Sequence, residues 1–397
     1  DGKILLDKGY GSANLEWKIA NDGDTKFRLG SVTKQFTATA ILLLAERGKV
    51  SLDGVVKTYL PDAPASWDKV TVRNLLNHSA GIPNFTSFDD YGKTKALATT
   101  PTELIARFRD KPLDFAPGER MDYSNSGYVV LTAIVEKVSG QPYGTFVADN
   151  IFKPLGMADS GYDSPKTVLA RRASGYSPSP DGVINADYLD MTVPQGAGGL
   201  YSTTHDLLKW QAALFGGKVL KPESFTAYTT PYKNNYALGV MVAKADGKTS
   251  IEHSGGIDGF NTWLGYDPDS KVTVIVLANL NGGAASALGK SMMTLGRGGA
   301  VTLPSERKAI AVAPATAREY VGEYELTPTF GIVVRYEGGK LTAQATNQAA
   351  LELFAEKPDF FFYRATDAQI AFTRDASGKV TGAVLHQAGR QMPVKKK

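Results

Sequence analysis

From Phe36 to Ala45 the chain is apolar at almost every position, with Thr37 and Thr39 the only interruptions. A helix with no polar face is a buried one, and Gly48 supplies a C-terminal stop, so a buried helix is predicted over 31–48. Three further helices follow from the pattern: 71–76, capped by Thr71; a helix capped by Ser124-Asn125-Ser126 that runs through Ser139 to Gly140; and 204–214. From about residue 236 the period changes to that of strands, at 237–243, 250–254, 261–266 and 271–278. The most apolar of these, Val272-Thr273-Val274-Ile275-Val276-Leu277, reads as a central strand covered on both faces. Residues 284–295 read as a last helix.

At the other end, Asp1-Gly2 reads as a hairpin turn into a strand at 3–6 whose partner strand would lie upstream. Strands near both ends, with helices between, predict one sheet fed by both ends of a domain. The fold class is therefore α/β (α+β): an antiparallel sheet flanked by helices, with a helical subdomain. Gly296-Arg297-Gly298-Gly299, Pro304 and Pro314 mark a linker. Beyond it, short strands such as Phe360-Phe361-Phe362-Tyr363 alternate with turns such as Glu337-Gly338-Gly339, which predicts a small all-β barrel. The domains are drawn at 1–300 and 317–397, joined by 301–316.

Composition narrows the class without naming a chemistry. With 397 residues, 43% hydrophobic and 21% charged, the chain has the make-up of an ordinary globular protein. A formal charge of +4, part of it in Lys395 to Lys397, is too small to suggest a nucleic-acid partner. No apolar run approaches the roughly 18 residues of a membrane helix. The absence of cysteine excludes disulfides, thiol catalysis and cysteine-ligated metal. No cofactor is expected, and no residues have metal-ligand spacing.

The candidate chemistry begins at Ser31 and Lys34. Three residues apart on a helix, they project from one face. The string alone means little, since Ser66/Lys69 and Ser305/Lys308 repeat it in surface-like contexts. A lysine amine has an ordinary pKa of about 10.4. Acylation of Ser31 therefore needs either a desolvated, neutral Lys34 or a second group that Lys34 keeps ionised. Tyr123 is the best candidate for that group, although it would need a pKa depressed by about 3 units. Asn125, two residues on, can offer its amide to a substrate or to Lys34. A strand carrying His253-Ser254-Gly255-Gly256 is small enough at its edge for a substrate backbone to lie alongside. The amides of Ser31 and Gly256 would then form a two-donor oxyanion hole. His78 reads as a structural residue after Leu75-Leu76, and no Gly-x-Ser-x-Gly elbow is present.

Serine-x-x-lysine, Tyr123-Ser124-Asn125 and His253-Ser254-Gly255, in this order, resemble the serine β-lactamase and penicillin-binding-protein superfamily. The branch is that of class C β-lactamases, DD-carboxypeptidases, esterases and D-aminopeptidases. Phe27-Arg28-Leu29-Gly30 before Ser31, Leu75-Leu76-Asn77-His78-Ser79-Ala80-Gly81-Ile82, Phe115-Ala116-Pro117-Gly118, Pro154-Leu155-Gly156-Met157 and Ala197-Gly198-Gly199-Leu200 extend the resemblance. It implies a β-lactamase/transpeptidase-like fold with a lipocalin-like barrel appended, in a periplasmic or secreted protein. It also implies Ser31 as the acylated nucleophile and Lys34/Tyr123 as a proton-transfer pair, with Asn125, His253, Ser254 and Gly255 binding substrate. The expected partner is a small-molecule or peptide acyl substrate: a D-amino-acid peptide or amide, an ester or, slowly, a β-lactam. One departure stands out. The family's usual lysine, which meets the substrate carboxylate, is His253 here. With an ordinary pKa of about 6.5, it predicts weak carboxylate anchoring that varies with pH between about 6 and 7.

Overall fold

A computed structural model describes residues 2–245, 247–303, 306–327, 330–346, 348–366, 368–387 and 390–397. Two compact units are present, one built from residues up to Pro178 and from Val183–Met293, the other mainly from Thr294–Lys397. In the first, β1 (Ser12–Asn14) and β2 (Ile19–Ala20) form a short antiparallel hairpin. The strand expected at 3–6 is not formed, and Ile4, Leu5 and Leu6 are exposed. No strand among the described residues pairs with this segment, and without a partner its backbone has no ladder to hold it as a strand.

Strand β3 (Phe27–Arg28) leads into a 3-10 turn at Gly30–Val32, which continues directly as helix α1 (Thr33–Glu46). Nearly every α1 side chain is buried, as its unbroken apolarity predicts. Helix α2 (Val72–Leu76) starts with a reciprocal cap: Thr71 Oγ1 accepts from Asn74 N at 3.2 Å, and Asn74 Oδ1 accepts from Thr71 N at 3.0 Å. Helix α3 (Asn125–Ser139) packs on α1 and ends at Gly140, whose φ of 73° is left-handed. Its cap differs from the expected one. Ser124 Oγ donates away to the Ile82 carbonyl at 2.9 Å, and Asn84 Oδ1 instead accepts from Asn125 N at 3.1 Å. Ser126 Oγ donates to the Pro83 carbonyl at 2.6 Å and accepts from Phe85 N at 3.0 Å. The segment 82–86 is thereby bound to the start of α3.

Strands β4 (Gly161–Tyr162) and β5 (Leu200–Ser202) join β3 in a three-stranded sheet with β5 in the middle. Helix α4 (Thr204–Phe215) follows, capped by Thr203. The main sheet is antiparallel, in the order β9-β8-β7-β6, from β6 (Met241–Ala245), β7 (Lys248–Ile257), β8 (Phe260–Tyr266) and β9 (Thr273–Ala278). Helix α5 (Ala284–Gly296) comes after it.

Two expectations are corrected here. The most apolar strand, β9, is at the edge of the sheet among the described residues, not at its centre. Both its faces are nonetheless covered. Val274 and Val276 pack with Trp263 and with Met293 of α5, while Ile275 and Leu277 pack on the main core. Apolarity reports covered faces, which β9 has, and not hydrogen-bonded neighbours on both sides. Nor do the N-terminal strands join this sheet among the described residues; they pair with each other or with β5.

The second unit is a closed antiparallel barrel of eight strands. They are β10 (Gly322–Thr327), β11 (Phe330–Glu337), β12 (Lys340–Ala345), β13 (Leu351–Lys357), β14 (Phe360–Tyr363), β15 (Ala368–Arg374), β16 (Val380–Gln387) and β17 (Arg390–Lys396). Each pairs with the next, and β10 closes on β17 through Tyr324↔Lys396 and Glu325↔Lys395. The inward positions Tyr324, Val334, Phe361, Ile370 and Phe372 fill its core. The lysine-rich C-terminus is thus largely strand and not a loose basic tail. Of the rival serine–lysine pairs, Ser66 and Lys69 are both exposed, and Ser305 lies outside the described residues.

Candidate active site

The 3-10 turn entering α1 puts Ser31 at the mouth of the helix and Lys34 one turn in, where it is fully buried. Lys34 Nζ lies 3.1 Å from Ser31 Oγ, and it donates to Asn125 Oδ1 at 2.8 Å and to the Ala197 carbonyl at 2.9 Å. No carboxylate pairs with it among the described residues. Burial alone therefore acts on the amine and pulls its pKa well below the ordinary lysine range. A neutral Lys34 has two N–H donors and a lone pair. With Asn125 and Ala197 taking the donors, the lone pair is left for the Ser31 hydroxyl.

The Ala197 carbonyl is fixed by a tight turn, Gln195–Gly198. Thr37 Oγ1 of α1 donates to the Gly196 carbonyl at 2.6 Å, and Gly196 N donates to Thr132 Oγ1 of α3 at 2.8 Å. This turn is therefore held between α1 and α3, with the Ala197 carbonyl aimed at Lys34 as the consequence.

The Tyr123 ring centroid lies 4.7 Å from Lys34 Nζ. Packing raises the phenol's pKa above the ordinary tyrosine value, and a hydrogen bond with Ser31 offsets this only in part. This acts against an ionised Tyr123 held by Lys34. Desolvation acts on both groups and favours neutral amine and neutral phenol together. His78, at φ 60°, lies with its ring centroid 4.1 Å from that of Tyr123, and its Nδ1 accepts from Ser124 N at 3.2 Å. It supports the tyrosine, consistent with a structural reading. Asn125 uses its amide oxygen for Lys34 and donates Nδ2–H to Thr86 Oγ1 at 3.2 Å, so it accepts from the lysine instead of donating to it.

The strand edge next to Ser31 is open. Strand β6 pairs with β7 only as far as Glu252, whereas β8 accompanies β7 to Ile257. The two-residue loop Asp258-Gly259 makes Ile257 and Phe260 the hydrogen-bonded pair beside the turn. Alternation then points the N–H and C=O of Gly256 and Ser254 outward. Gly30, at φ 53°, lets this edge come close: a Cβ there would lie 2.9 Å from Gly256 N. At Gly255 a Cβ would meet the Leu29 carbonyl at 2.0 Å, so no side chain fits. Thr262 Oγ1 ties the same carbonyl with a bond of 2.7 Å. Gly30 and Gly256 are thereby close neighbours, and neither the Ser31 nor the Gly256 amide makes a turn or loop backbone hydrogen bond among the described residues. Ser254 is exposed on the same edge.

His253 is buried, with both ring nitrogens occupied. Nδ1 lies 2.6 Å from the Ser254 carbonyl, which can only accept, so Nδ1 carries the proton. The Tyr236 hydroxyl, 2.9 Å from Nε2, donates to it. Burial, and then the positive charge that Lys34 carries whenever it is protonated, depress the His253 pKa to about 3. The expected titration between about pH 6 and 7 is therefore overturned. Tyr236, Thr86 and Asn84 were not legible as site residues in the sequence. Tyr236 precedes the strands with no distinguishing neighbour, and Thr86 and Asn84 lie in a polar stretch. Among the described residues no cluster of His, Cys, Asp or Glu is placed to hold a metal.

A family model described as Beta-lactamase matches residues 1–292, and one described as a domain of unknown function (DUF3471) matches residues 306–396. A penicillin-binding protein of Bacillus subtilis (strain 168) is 29% identical over 398 residues, covering 94% of this chain and 88% of that protein. The structure of an octameric penicillin-binding protein homologue from Pyrococcus abyssi is 27% identical, with a TM-score of 0.70, covering 100% of this chain and 94% of that one. D-amino acid amidase from Ochrobactrum anthropi SV3, in complex with L-phenylalanine amide, is 28% identical with a TM-score of 0.62, covering 68% of this chain and 81% of that one.

Proposed function

The chain belongs to the Beta-lactamase family and is a serine hydrolase of that fold, and from this premise we propose that it works through an acyl-enzyme on Ser31, with Lys34 as the base. The observation that carries the reading is the 3.1 Å contact between Lys34 Nζ and Ser31 Oγ, with no carboxylate among the described residues to keep the amine protonated. Neutral Lys34 takes the hydroxyl proton as Ser31 Oγ attacks the substrate carbonyl. The oxyanion that forms is held by the amides of Ser31 and Gly256. As the tetrahedral intermediate collapses, the bond to the leaving group breaks. The Lys34 proton passes to that group through Tyr123, whose phenol stays neutral between transfers. Water then attacks the ester on Ser31 by the reverse proton path and regenerates the serine. Asn125 holds Lys34 in place, and the open edge at Ser254 and Gly256 receives the substrate backbone.

The substrate classes this site fits are D-amino-acid peptides or amides and carboxylic esters, with β-lactams as slow substrates. The D-amino acid amidase similarity supports the amide class. Domains at 1–300 and 317–397, the second a lipocalin-like barrel, and a periplasmic or secreted location belong to the same proposal. No helix among the described residues is long and apolar enough to cross a membrane. Intact-mass analysis with a fluorophosphonate and a fluorescent penicillin tests the reading. A single adduct of wild type, lost in Ser31→Ala, is expected; no Ser31-dependent adduct with either reagent would refute it.

A further inference from the structure

The turn Asp258-Gly259 joins β7 to β8 and begins two residues beyond Gly256, so its position governs that of the Gly256 amide. Two ties hold the turn. Asn281, after β9, accepts from Gly259 N at 2.7 Å and donates Nδ2–H to the Ile257 carbonyl at 3.0 Å. The second tie comes from a different part of the fold. Lys95 Nζ donates to Asp258 Oδ1, and also to Asp187 Oδ2 at 3.1 Å. The Lys95 and Asp258 side chains are 13% and 21% exposed, whereas Asp187 is 81% exposed. Water therefore screens the Asp258 pair least, and it is the stronger of the two.

Lys95 also ends a strap whose beginning is bonded to the site at Asn125. Asn84 Oδ1 accepts from Asn125 N at 3.1 Å, and Thr86 Oγ1 accepts from Asn125 Nδ2 at 3.2 Å. Within the strap Phe85 is buried, with Tyr91 edge-on to it at 5.8 Å. The short helix Tyr91–Thr94 then leads to Lys95, whose carbonyl accepts from Asp190 N at 3.0 Å. Residues 84–95 thus run from the amide that holds Lys34 to the turn that follows the oxyanion donor. Because β6 pairs with β7 only as far as Glu252, no strand among the described residues fixes the Gly256 end of that edge. An ion pair does so instead. We propose that Lys95 is a positioning residue: its ion pair with Asp258 holds the β7–β8 turn, and through it the Gly256 amide, where the oxyanion needs a donor. This role rests on the Ser31 acyl-enzyme proposed above. Without Lys95 the Asp258 carboxylate is left unpaired and poorly solvated, and the turn must move to bring it to water. A displaced amide still lets a substrate bind but stabilises the transition state less.

The test follows modification of Ser31 in the intact chain by a fluorophosphonate, or by a fluorescent penicillin if that alone reacts. In both reagents the oxygen of the attacked centre takes up the oxyanion donors. Saturation kinetics yield a maximal rate and a half-saturating concentration. In Lys95→Ala the maximal rate should fall at least about tenfold, short of the 100- to 1,000-fold that follows loss of a donor. The half-saturating concentration should stay within about twofold of wild type, the mark of an interaction made only in the transition state. Lys95→Arg keeps the ion pair and should recover most of the rate. Asp258→Ala should reproduce the loss, and the double variant should lose no more than either single one, because both remove the same tie. A lower thermal midpoint with a wild-type maximal rate would make Lys95 a structural tie alone and overturn the proposal. So would additive losses in the double variant, or a Lys95→Arg rate no better than that of Lys95→Ala. If Lys95→Ala does not fold, Asp258→Ala carries the same expectation from the other end of the pair. No Ser31 adduct in wild type with either reagent would instead remove the acyl-enzyme reading, and this role with it.

Discussion

Asn125 Oδ1 accepts a hydrogen bond from Lys34 Nζ at 2.8 Å, although 91 positions separate the two residues. The acceptor is an amide and not a carboxylate, and this difference keeps the amine poised to lose its proton. Asn125→Asp preserves the shape of the contact and adds a negative charge beside a buried lysine. It is expected to raise the Lys34 pKa by several units and lower acylation near neutral pH by at least about a hundredfold. Activity should return as pH is raised. A stopped-flow pH profile of Ser31 acylation checks this; an unchanged profile would show that Lys34 is not the base.

Tyr123 and Lys34 are shifted in opposite directions by the same cause, burial, which favours the neutral form of each. Acylation by wild type should rise as Lys34 loses its proton and stay level until the phenol begins to ionise, above the ordinary tyrosine value of about 10. Tyr123→Phe removes the relay but not the base. The rate should fall by about 100- to 10,000-fold, the usual worth of a general acid–base group, with the acidic limb unmoved. A limb that disappears in Tyr123→Phe would instead assign the base to Tyr123.

The local parts of this site are readable from the sequence because they lie within one helix and its flanks. Ser31 lies in the 3-10 turn that runs into α1 and Lys34 in the first turn of α1, and Gly140 ends α3 where its left-handed φ requires. Whatever depends on distant partners is not readable. The acceptors that surround Lys34 come from Asn125 and Ala197, and only the folded chain shows the Ala197 carbonyl turned inward. His253 reads as a titrating residue until Tyr236 and burial are seen to hold it neutral. The strand order failed for a related reason. The apolarity of β9 reports the helix and core beneath its faces and carries no information about which edges are paired.

Gly30 is where the nucleophile turn meets the substrate edge. A Cβ there would lie 2.9 Å from Gly256 N and 3.0 Å from the Gly256 carbonyl oxygen, at a φ of 53°. Gly30→Ala should push the β7 edge away from the Ser31 amide. Loss of one oxyanion donor is worth about 100- to 1,000-fold in kcat. Left-handed strain should cost stability by only about 1–2 kcal/mol. Thermal unfolding and single-turnover kinetics separate the two effects. A variant that unfolds more easily yet keeps wild-type kcat would remove Gly256 from the oxyanion site.

Burial also makes the fold sensitive to acid. His253 has its pKa depressed to about 3 and His78 well below the ordinary value, burial being the largest cause in each. Above about pH 6.5 both rings are neutral in the folded and unfolded chains and exert no linkage. Below it, the unfolded chain takes up protons that the folded chain refuses, so stability falls as pH drops toward about 3. At about pH 5 each ring that stays neutral in the fold costs about 2 kcal/mol relative to neutral pH. His78→Asn keeps an acceptor for Ser124 N and tolerates the left-handed backbone, but does not titrate. The variant should be less stable at about pH 7, having lost its contacts with Tyr123, Tyr128 and Tyr236. Between about pH 7 and 5, however, it should lose about 2 kcal/mol less than wild type in urea unfolding. Equal losses would mean that His78 is protonated inside the fold, beside Tyr123.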